Sequence, residues 1–389
     1  INYQEPMKPL WWSETMKAKT TTLSAERGVI VLTSVVLLLT MASLVTLYTG
    51  QVKSFENLIT LNVQNRLLAF NSAEAGLMKA LGILTIEPYW DGTQFTESLP
   101  GQGSFTTAGS WEEIHRESTT QRLITLESVG KSPDRLSAVT VTEQALVYPL
   151  VANLPDAPLV VAGGIAAGGN FEVVANPDGG GVGVPLSIWS DLDVDLLNGS
   201  TTTCNQQAFA EGNCSSDSYS QAGLQGPDIL DNDVNFPDDL LEYIFNVPAS
   251  QWALLRNEAD DVLSTCTSLG AATSGFIWVE GHCYITANTL IGNDTNPVLL
   301  IVVNGDLTMN SGSMITGLVV SFRKPTTAID YEIYMNGGAR VIGGVVANHD
   351  LGHANGYYHS TYHKDVLTLL QQHNAFQRLA RVPGSWRDY

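Results

Sequence analysis

Basic side chains are scarce in this sequence, which has 19 Lys and Arg residues against 39 Asp and Glu residues and a net charge of −20. Such a chain has no basic stripe that could release counterions from a phosphate backbone, so nucleic acid is excluded as a partner. Charged residues of both signs make up only 15% of the chain, while 44% is apolar without a G-X-Y period. This composition excludes disordered and collagen-like classes, and the length allows two or three domains.

Cysteine is also scarce. The four cysteines are too few for a disulfide scaffold and lack the CxxC spacing of a zinc site. They suffice for two bridges, and proximity in sequence favours one of the three possible connectivities. The sequence therefore predicts the pairs Cys204–Cys214 and Cys266–Cys283.

Motifs of catalysis are missing as well. The chain has no GxSxG nucleophile elbow, no P-loop and no GxGxxG that opens a helix after a strand, because its glycine run at 179–183 lies among turn residues. No carboxylate pair can be singled out for glycoside chemistry. We therefore expect a protein that is not an enzyme and that needs no cofactor.

One long uncharged segment is present, the 20 residues Val29–Tyr48, of which twelve are Leu, Ile or Val. At 1.5 Å per residue a helix of this length spans about 30 Å, the thickness of the hydrocarbon core of a membrane. Four basic residues precede it, namely Lys8, Lys17, Lys19 and Arg27. The positive-inside rule then places the N-terminus in the cytoplasm and the rest of the chain outside, in a compartment where disulfides can form.

The apolar segment is too long for an ordinary secretory signal. It follows a short charged leader that ends at Gly28, so residues 1–28 are expected to be a leader peptide, with translation starting at Met7 or Met16. Beyond the segment, apolar residues recur every three or four positions to Leu84. This periodicity predicts one helix over 29–84 that is membrane-spanning at first and amphipathic afterwards.

The Glu26-Arg27-Gly28 junction, the apolar run that follows it and AFNSAEAGLMKAL at 69–81 resemble the N-terminal region of type IV pilin-like proteins, specifically PilX-type minor pilins. The resemblance covers 16–84. It implies that a prepilin peptidase cuts after Gly28 and methylates the new N-terminus at Val29. The chain departs from the major pilins at Val29, where they have Phe, and at Thr33, where they have Glu.

The resemblance implies a non-catalytic minor pilin that acts in the assembly or at the tip of a type IV pilus or a related filament. Its partners would then be other minor and major pilins, the prepilin peptidase, the inner membrane and a surface or tip adhesin, and its final location would be the pilus tip. The alternative is a membrane-anchored surface-binding protein or adhesin whose helix is only an anchor.

Residues 85–150 contain three segments rich in β-branched residues, at 103–107, 122–130 and 135–148. Their partial alternation predicts an antiparallel meander that covers the lower half of the helix, as the pilin resemblance also implies. Alternatively, these strands begin the next domain.

Three prolines between 148 and 158 predict a boundary near 150. Over 151–389 short apolar segments alternate with Asn/Gly corners such as Asn304-Gly305 and Asn336-Gly337. Tight corners with small residues are typical of a short, irregular parallel β-helix, and a β-sandwich is the alternative. A helix over 364–381 is expected to cap one end, so the predicted fold class is α+β.

Two clusters are candidate metal sites. Asp231, Asp233, Asn235 and Glu242 have the spacing of oxygen ligands in an EF-hand loop, although Phe236 occupies the glycine position. Calcium is thus a candidate ligand, and a solvated acidic loop is the alternative. The second cluster consists of two i,i+4 histidine pairs, which would converge only in a helix, and a polar surface loop explains them equally well. These pairs are His349 with His353 and His359 with His363, and His373 follows.

Overall fold

A computed structural model describes residues 26–116, 119–354 and 357–389. Most of the predicted leader, residues 1–25, lies outside the described residues. The chain divides into two compact units, Ile1–Leu67 and Leu68–Tyr389. Helix α1 (Glu26–Ile86) forms the described part of the first unit and opens the second.

Helix α1 agrees closely with the predicted helix and ends two residues before Pro88, which cannot continue a helix. Its portion from Gly28 onward is long and apolar enough to cross a membrane, and none of the most apolar stretch is buried within the chain. An apolar helical surface of this length, exposed along its whole circumference, is stable only in an apolar environment.

The second unit begins with an antiparallel sheet, as the sequence predicted. Its strands are β1 (Phe95–Leu99), β2 (Gly103–Arg116), β3 (Thr119–Lys131) and β4 (Ala138–Pro149). They pair in the order β1-β2-β3-β4. The end of α1 packs on one face of this sheet, where Ala73, Leu77 and Leu84 of the helix and Ile124 and Leu126 of β3 are fully buried in one core.

A mainly-β domain follows. Its strands are β5 (Leu159–Val161), β6 (Ile165–Val174), β7 (Ile188–Ser190), β8 (Val194–Gly199), β9 (Thr202–Cys204), β10 (Ser218–Gln221), β11 (Ile229–Leu230), β12 (Asp261–Leu263), β13 (Gly275–Glu280), β14 (Cys283–Ile285), β15 (Leu290–Ile291), β16 (Val298–Val303), β17 (Leu307–Met309), β18 (Met314–Phe322), β19 (Ile333–Met335), β20 (Arg340–Ala347), β21 (Leu351–Ala354) and β22 (Tyr357–Tyr362). Its helices are α2 (Gln206–Ala210), α3 (Leu240–Phe245), α4 (Trp252–Asn257) and α5 (Lys364–Gln372).

These strands form long parallel ladders. The main ladder has the order β12-β13-β16-β18-β20-β5-β7-β11, and all of its pairings are parallel. A second ladder joins β14, β17 and β19, also in parallel. A short parallel β-helix requires this pairing, whereas a sandwich is built from antiparallel sheets. Strands that follow one another in the chain therefore lie on different faces of the coil.

Glycine permits one close stacking within the main ladder. Gly317 and Gly343 are in register on β18 and β20, and both have positive φ, +146° and +132°. A Cβ at Gly343 would overlap the carbonyl of Gly317. Only glycine fits there without strain, so the two residues fix the local register of adjacent coils.

From β13 to β7 the strands of the main ladder are mostly buried on both faces, whereas the edge strands β12 and β11 have exposed residues such as Val262 and Leu230. Inward residues such as Leu300 and Val319 fill the interior of the coil, while outward residues such as Leu299 and Leu318 are covered from outside. This explains why its strands are continuous apolar runs without alternation. The outer cover includes Leu367 of α5, which packs on β18 and β20.

Two predictions about the C-terminus are wrong. Helix α5 ends at Gln372, and it lies over the middle strands of the main ladder instead of capping an end. The residues beyond it form β23 (Gln377–Arg381) and β24 (Arg387–Asp388), which pair antiparallel with β4. The sheet that packs on α1 is thus completed by the C-terminus, and the β domain is an insertion between β4 and β23.

Candidate functional site

The apolar segment of α1 contains five Ser and Thr side chains, and the hydroxyl of each one donates a hydrogen bond to a backbone carbonyl three or four residues earlier. The donors are Thr33, Ser34, Thr40, Ser43 and Thr46, at 2.8–3.0 Å. In hydrocarbon an unpaired hydroxyl would cost several kcal/mol, roughly. Local pairing of this kind lets the helix enter a membrane although a quarter of its residues are hydroxylic.

The residues predicted for processing and filament packing lie at the start of this helix. Gly28 is helical and has open space around it, since a Cβ there would meet nothing within 4 Å. Val29 is 61% exposed. The Thr33 hydroxyl lies 2.9 Å from the carbonyl oxygen of Val29 and 3.0 Å from that of Ile30. The hydroxyl of Thr33, the fifth residue after the junction, is therefore already hydrogen-bonded within its own helix.

The amphipathic part of α1 differs between its two units. The stripe residues Phe55, Ile59 and Val63 are each more than 60% exposed. The stripe from Ala69 onward is instead buried against the sheet. The sequence predicted one continuous stripe, and only its second half is covered by the described part of the chain.

The SAEAGL segment makes the closest contact between helix and sheet. Ser72 is fully buried and donates to the carbonyl oxygen of Gln102 at 3.1 Å. At Gly76 a Cβ would overlap the hydroxyls of Ser128 and Thr107, which are hydrogen-bonded to each other at 2.9 Å. Small residues at these positions therefore allow the helix to lie directly on the strands.

The C-terminal segment secures the same part of the helix. Trp386 packs edge-on against Phe70, with ring centroids 6.3 Å apart, and its Nε1 donates to Glu74 at 2.8 Å. Arg381 on β23 binds the buried Glu143 of β4 through two hydrogen bonds of 2.5 and 2.9 Å. The sequence patterns did not predict this role for the C-terminus.

Both predicted disulfides are present. Cys204–Cys214 has a Cα–Cα distance of 5.3 Å and Cys266–Cys283 one of 5.0 Å. All four cysteines are buried. The first bridge joins β9 to the segment after α2, and the second joins β14 to the segment before β13, so each fixes a loop at the surface of the β domain.

The calcium candidates do not converge. The Asp233 carboxylate accepts from Trp189 Nε1 at 2.9 Å and from the backbone N–H of Asn235 at 3.0 Å, and these hydrogen bonds, the backbone one first, lower its pKa. Glu242 lies in the first turn of α3, and Asp231 is at the surface. Within the described ranges no three His, Cys, Asp or Glu side chains are placed to hold a metal ion. Calcium therefore stays a prediction without structural support.

The histidines do not form helical pairs, because His349 follows β20 and His359 lies within β22. His359 is buried, with Nδ1 2.8 Å from a carboxylate oxygen of Glu172 and Nε2 2.9 Å from the Thr361 hydroxyl. His363 and His373 accept backbone hydrogen bonds at the starts of α5 and of the 3₁₀ turn after it. The side chain of His353 lies outside the described residues.

His349 is fully buried. Its Nδ1 donates to the carbonyl oxygen of Asp350 at 2.9 Å, because a carbonyl can only accept, and its Nε2 then accepts from the Ser321 hydroxyl at 2.8 Å. Burial lowers the pKa of His349, against the opposing effect of the Asp350 hydrogen bond. Both ring nitrogens are thus hydrogen-bonded to residues of the β domain, so His349 is a structural residue.

The described chain thus combines an apolar N-terminal helix with an antiparallel sheet on which the end of that helix packs. Residues 27–77 match the family described as PilX N-terminal. The resemblance to PilX-type minor pilins is confirmed for that segment, which is 51 of the 389 residues.

Two further comparisons add little. The crystal structure of the competence-associated pilin ComZ from Thermus thermophilus aligns with 84% of this chain and 97% of its own, at 11% identity and a TM-score of 0.26. A TM-score this low is no argument for a shared fold. No curated protein matches the sequence.

The contact at Gly76 generates a stability prediction. Gly76→Ala places a methyl group where two hydroxyls and the Phe105 ring already lie, so we expect a loss of about 1–3 kcal/mol in the free energy of unfolding. This loss outweighs the gain of about 1 kcal/mol that alanine normally brings to a helix. Urea denaturation of the detergent-solubilised full chain measures it.

Gly82 is the matched control, because it lies in the same helix and a Cβ there would meet nothing within 4 Å. Gly82→Ala should leave stability unchanged or raise it by up to about 1 kcal/mol. Equal effects of the two substitutions would contradict the close helix–sheet contact.

A second prediction concerns pH. Because the pKa of His349 is lowered in the folded state, the unfolded chain binds more protons as the pH falls below the unfolded value of about 6.5. The stabilising contribution is complete above that pH and is lost toward the folded pKa, with a slope of at most about 1.4 kcal/mol per pH unit.

Free energies of unfolding measured from neutral to mildly acidic pH test this. His349→Gln should have a shallower dependence on pH, whatever its absolute stability. His115→Gln removes an exposed histidine and should keep the wild-type slope. A His349→Gln slope equal to that of the wild type would show that His349 does not cause it.

Proposed function

We propose that this chain is a non-catalytic minor subunit of a type IV pilus or a related filament, acting at the filament tip or in its initiating complex. The observation that carries the proposal is the helix in residues 27–77, which matches the PilX N-terminal family and presents an exposed apolar surface. The first part of that surface fits a membrane before assembly. Afterwards, helices of other minor and major pilins would replace the lipid.

The uncovered stripe supports assembly rather than simple anchoring. Phe55, Ile59 and Val63 lie beyond the 20-residue span, yet they are as exposed as the residues within it. An anchor needs no apolar surface outside the membrane, whereas a subunit of a helical bundle needs one for its neighbours. This observation favours a filament subunit over an adhesin whose helix is only an anchor.

Processing at the junction is the first step of the proposal. Gly28 has no side chain, and its open surroundings leave the bond to Val29 accessible to a prepilin peptidase. The product would carry a methylated Val29 amine. Before cleavage the chain would sit in the inner membrane as a single-pass protein with its β domain in the periplasm.

The proposed position in the filament rests on the charged groups near the N-terminus of the mature helix. In the family that this chain resembles, a glutamate at the fifth mature position of an incoming subunit neutralises the N-terminal ammonium of the subunit docked above it. Thr33 occupies that position here, and its hydroxyl already binds the carbonyl of Val29. An ammonium buried without a partner would cost several kcal/mol, roughly.

Thr33 therefore offers no partner to a subunit above, whereas the Val29 ammonium can still receive the glutamate of a subunit below. A topmost subunit needs only the second contact. The inserted β domain points to the same position, because a domain of this size would crowd closely spaced neighbours along a shaft. A tip location would also bring the β domain to a surface or to a tip adhesin.

Processing can be tested by Gly28→Leu. We expect an uncleaved precursor that stays in the membrane and does not enter filaments, because the peptidase must fit a small residue at the end of the leader. Mass spectrometry of the N-terminus distinguishes methylated Val29 from an intact leader. Gly50→Leu is the control, since that glycine is in the same helix with equal space around it, and it should be processed normally.

Wild-type protein with an intact leader would instead support the anchored adhesin. Filaments that contain normal amounts of the unprocessed Gly28→Leu form would refute the processing step itself.

Location can be tested by immunogold labelling with an antibody against the β domain. We expect gold particles at filament ends and at foci in the cell envelope, while an antibody against the major subunit labels the whole shaft. Regular decoration of the shaft by the β-domain antibody would overturn the tip assignment.

A further inference from the structure

The second parallel ladder exposes a column of aromatic residues. Its strands β14, β17 and β19 are in register, so Tyr284, Thr308 and Tyr334 lie directly beside one another. Each is the outward residue of a three-residue strand whose two other side chains are buried. With about 4.8 Å between strands, the two tyrosines are about 9.6 Å apart and flank a smaller threonine.

These two tyrosines contribute little to the packing of the β domain. Tyr284 is 53% exposed and Tyr334 is 39% exposed. In contrast to most aromatic side chains of the β domain, neither ring packs against another ring within the part of the chain that the structure describes. Half-exposed tyrosines on a flat, rigid surface are typical of recognition surfaces, because their rings offer contact area at a small entropic cost.

A fixed acidic row borders the column. The backbone N–H of Glu332 donates to Asp306 Oδ1 at 3.0 Å, and Asp306 Oδ2 lies 3.3 Å from His282 Nδ1. These contacts orient the Asp306 carboxylate, which immediately precedes β17, and Glu332 immediately precedes β19. Two acidic residues therefore lie along this border.

A fixed amide row forms the other border. Asn336 Nδ2 donates to Asn310 Oδ1 at 3.2 Å, and Asn310 Nδ2 donates to the carbonyl oxygen of Ile285 at 2.8 Å. Both amides are thus ordered by the coil itself. The surface presents apolar ring faces between two rows of polar groups whose positions are set in advance.

We infer that this Tyr284–Tyr334 face binds a linear glycan of amino sugars. A sugar ring has an apolar C–H face that stacks on an aromatic ring, and its hydroxyls hydrogen-bond to carboxylates and amides. The distance between the two tyrosines is comparable to two sugar residues of an extended chain. Carboxylates on the border complement protonated sugar amines and repel acidic glycans, as does the net charge of −20.

The inference does not depend on filament assembly, because every residue of the face belongs to the β domain. The test uses the full chain in detergent, so a failure of processing or of tip location has no influence on the result. Isothermal titration with a glucosamine hexamer at mildly acidic pH, where the sugar amines are protonated, is the primary measurement, and cellohexaose and polygalacturonate serve as neutral and acidic comparisons.

We expect the glucosamine hexamer to bind, cellohexaose to bind several-fold more weakly, and polygalacturonate not to bind. The Tyr284→Ala/Tyr334→Ala double variant should bind the glucosamine hexamer about tenfold more weakly or worse. The Tyr284→Phe/Tyr334→Phe variant keeps the rings and should retain most of the affinity. Asp306→Asn should lower the affinity for the glucosamine hexamer and leave the affinity for cellohexaose unchanged.

Tyr389→Ala is the matched control, because it removes a tyrosine that is 69% exposed on the antiparallel sheet. It should bind like the wild type, and melting curves establish that each variant is folded. The inference is overturned if the glucosamine hexamer does not bind, if the double alanine variant binds it unchanged, or if polygalacturonate binds equally well. Equal, tyrosine-independent binding of hexalysine would reveal mere charge attraction and would also overturn it.

Discussion

The packing of the end of α1 on the antiparallel sheet is the contact on which the rest of the second unit depends. It requires small residues in the helix, because Gly76 and Ser72 lie where the strands come closest. It also requires Gly130 on the strand side, where a Cβ would overlap the backbone of Ala69 and Ala73. The SAEAGL segment can therefore be understood as a packing motif. The match to the PilX N-terminal family ends within it, at residue 77.

Completion of that sheet by the C-terminus constrains the β domain. β4 pairs with β3 on one side and with β23 on the other. The inserted chain must therefore leave the sheet at the end of β4 and return beside that end at the start of β23. The domain is consequently held by two covalent connections, and the Arg381–Glu143 hydrogen bonds join residues 238 positions apart in sequence. A load applied to the β domain would therefore reach the sheet through both connections.

Sequence patterns predicted the parts in which a single local rule decides. The helix, the meander, the disulfide pairs and the β-domain strands each follow from periodicity, proximity or continuous apolar runs such as Val298–Val303. The C-terminal strands could not be predicted in this way, because Gln377–Arg381 is short and mixed in polarity, and its partner lies far away in sequence. The prediction of i,i+4 histidine pairs is wrong for a related reason. Spacing of i,i+4 has meaning only in a helix, and His359 lies in a strand.

The tyrosine column could not have been found from the sequence either, since Tyr284 and Tyr334 are 50 residues apart and are aligned only by two successive coils. A coiled parallel fold converts widely separated residues into neighbours at intervals of about 4.8 Å, so a repeating ligand can be matched by one outward residue per coil. The same geometry leaves the interior and the helix-covered face free to be mostly apolar. Stability and recognition are thereby carried by different faces of the same strands. For this reason the outward residues of β14, β17 and β19 can change with little effect on the core, whereas those of β16 and β18 cannot.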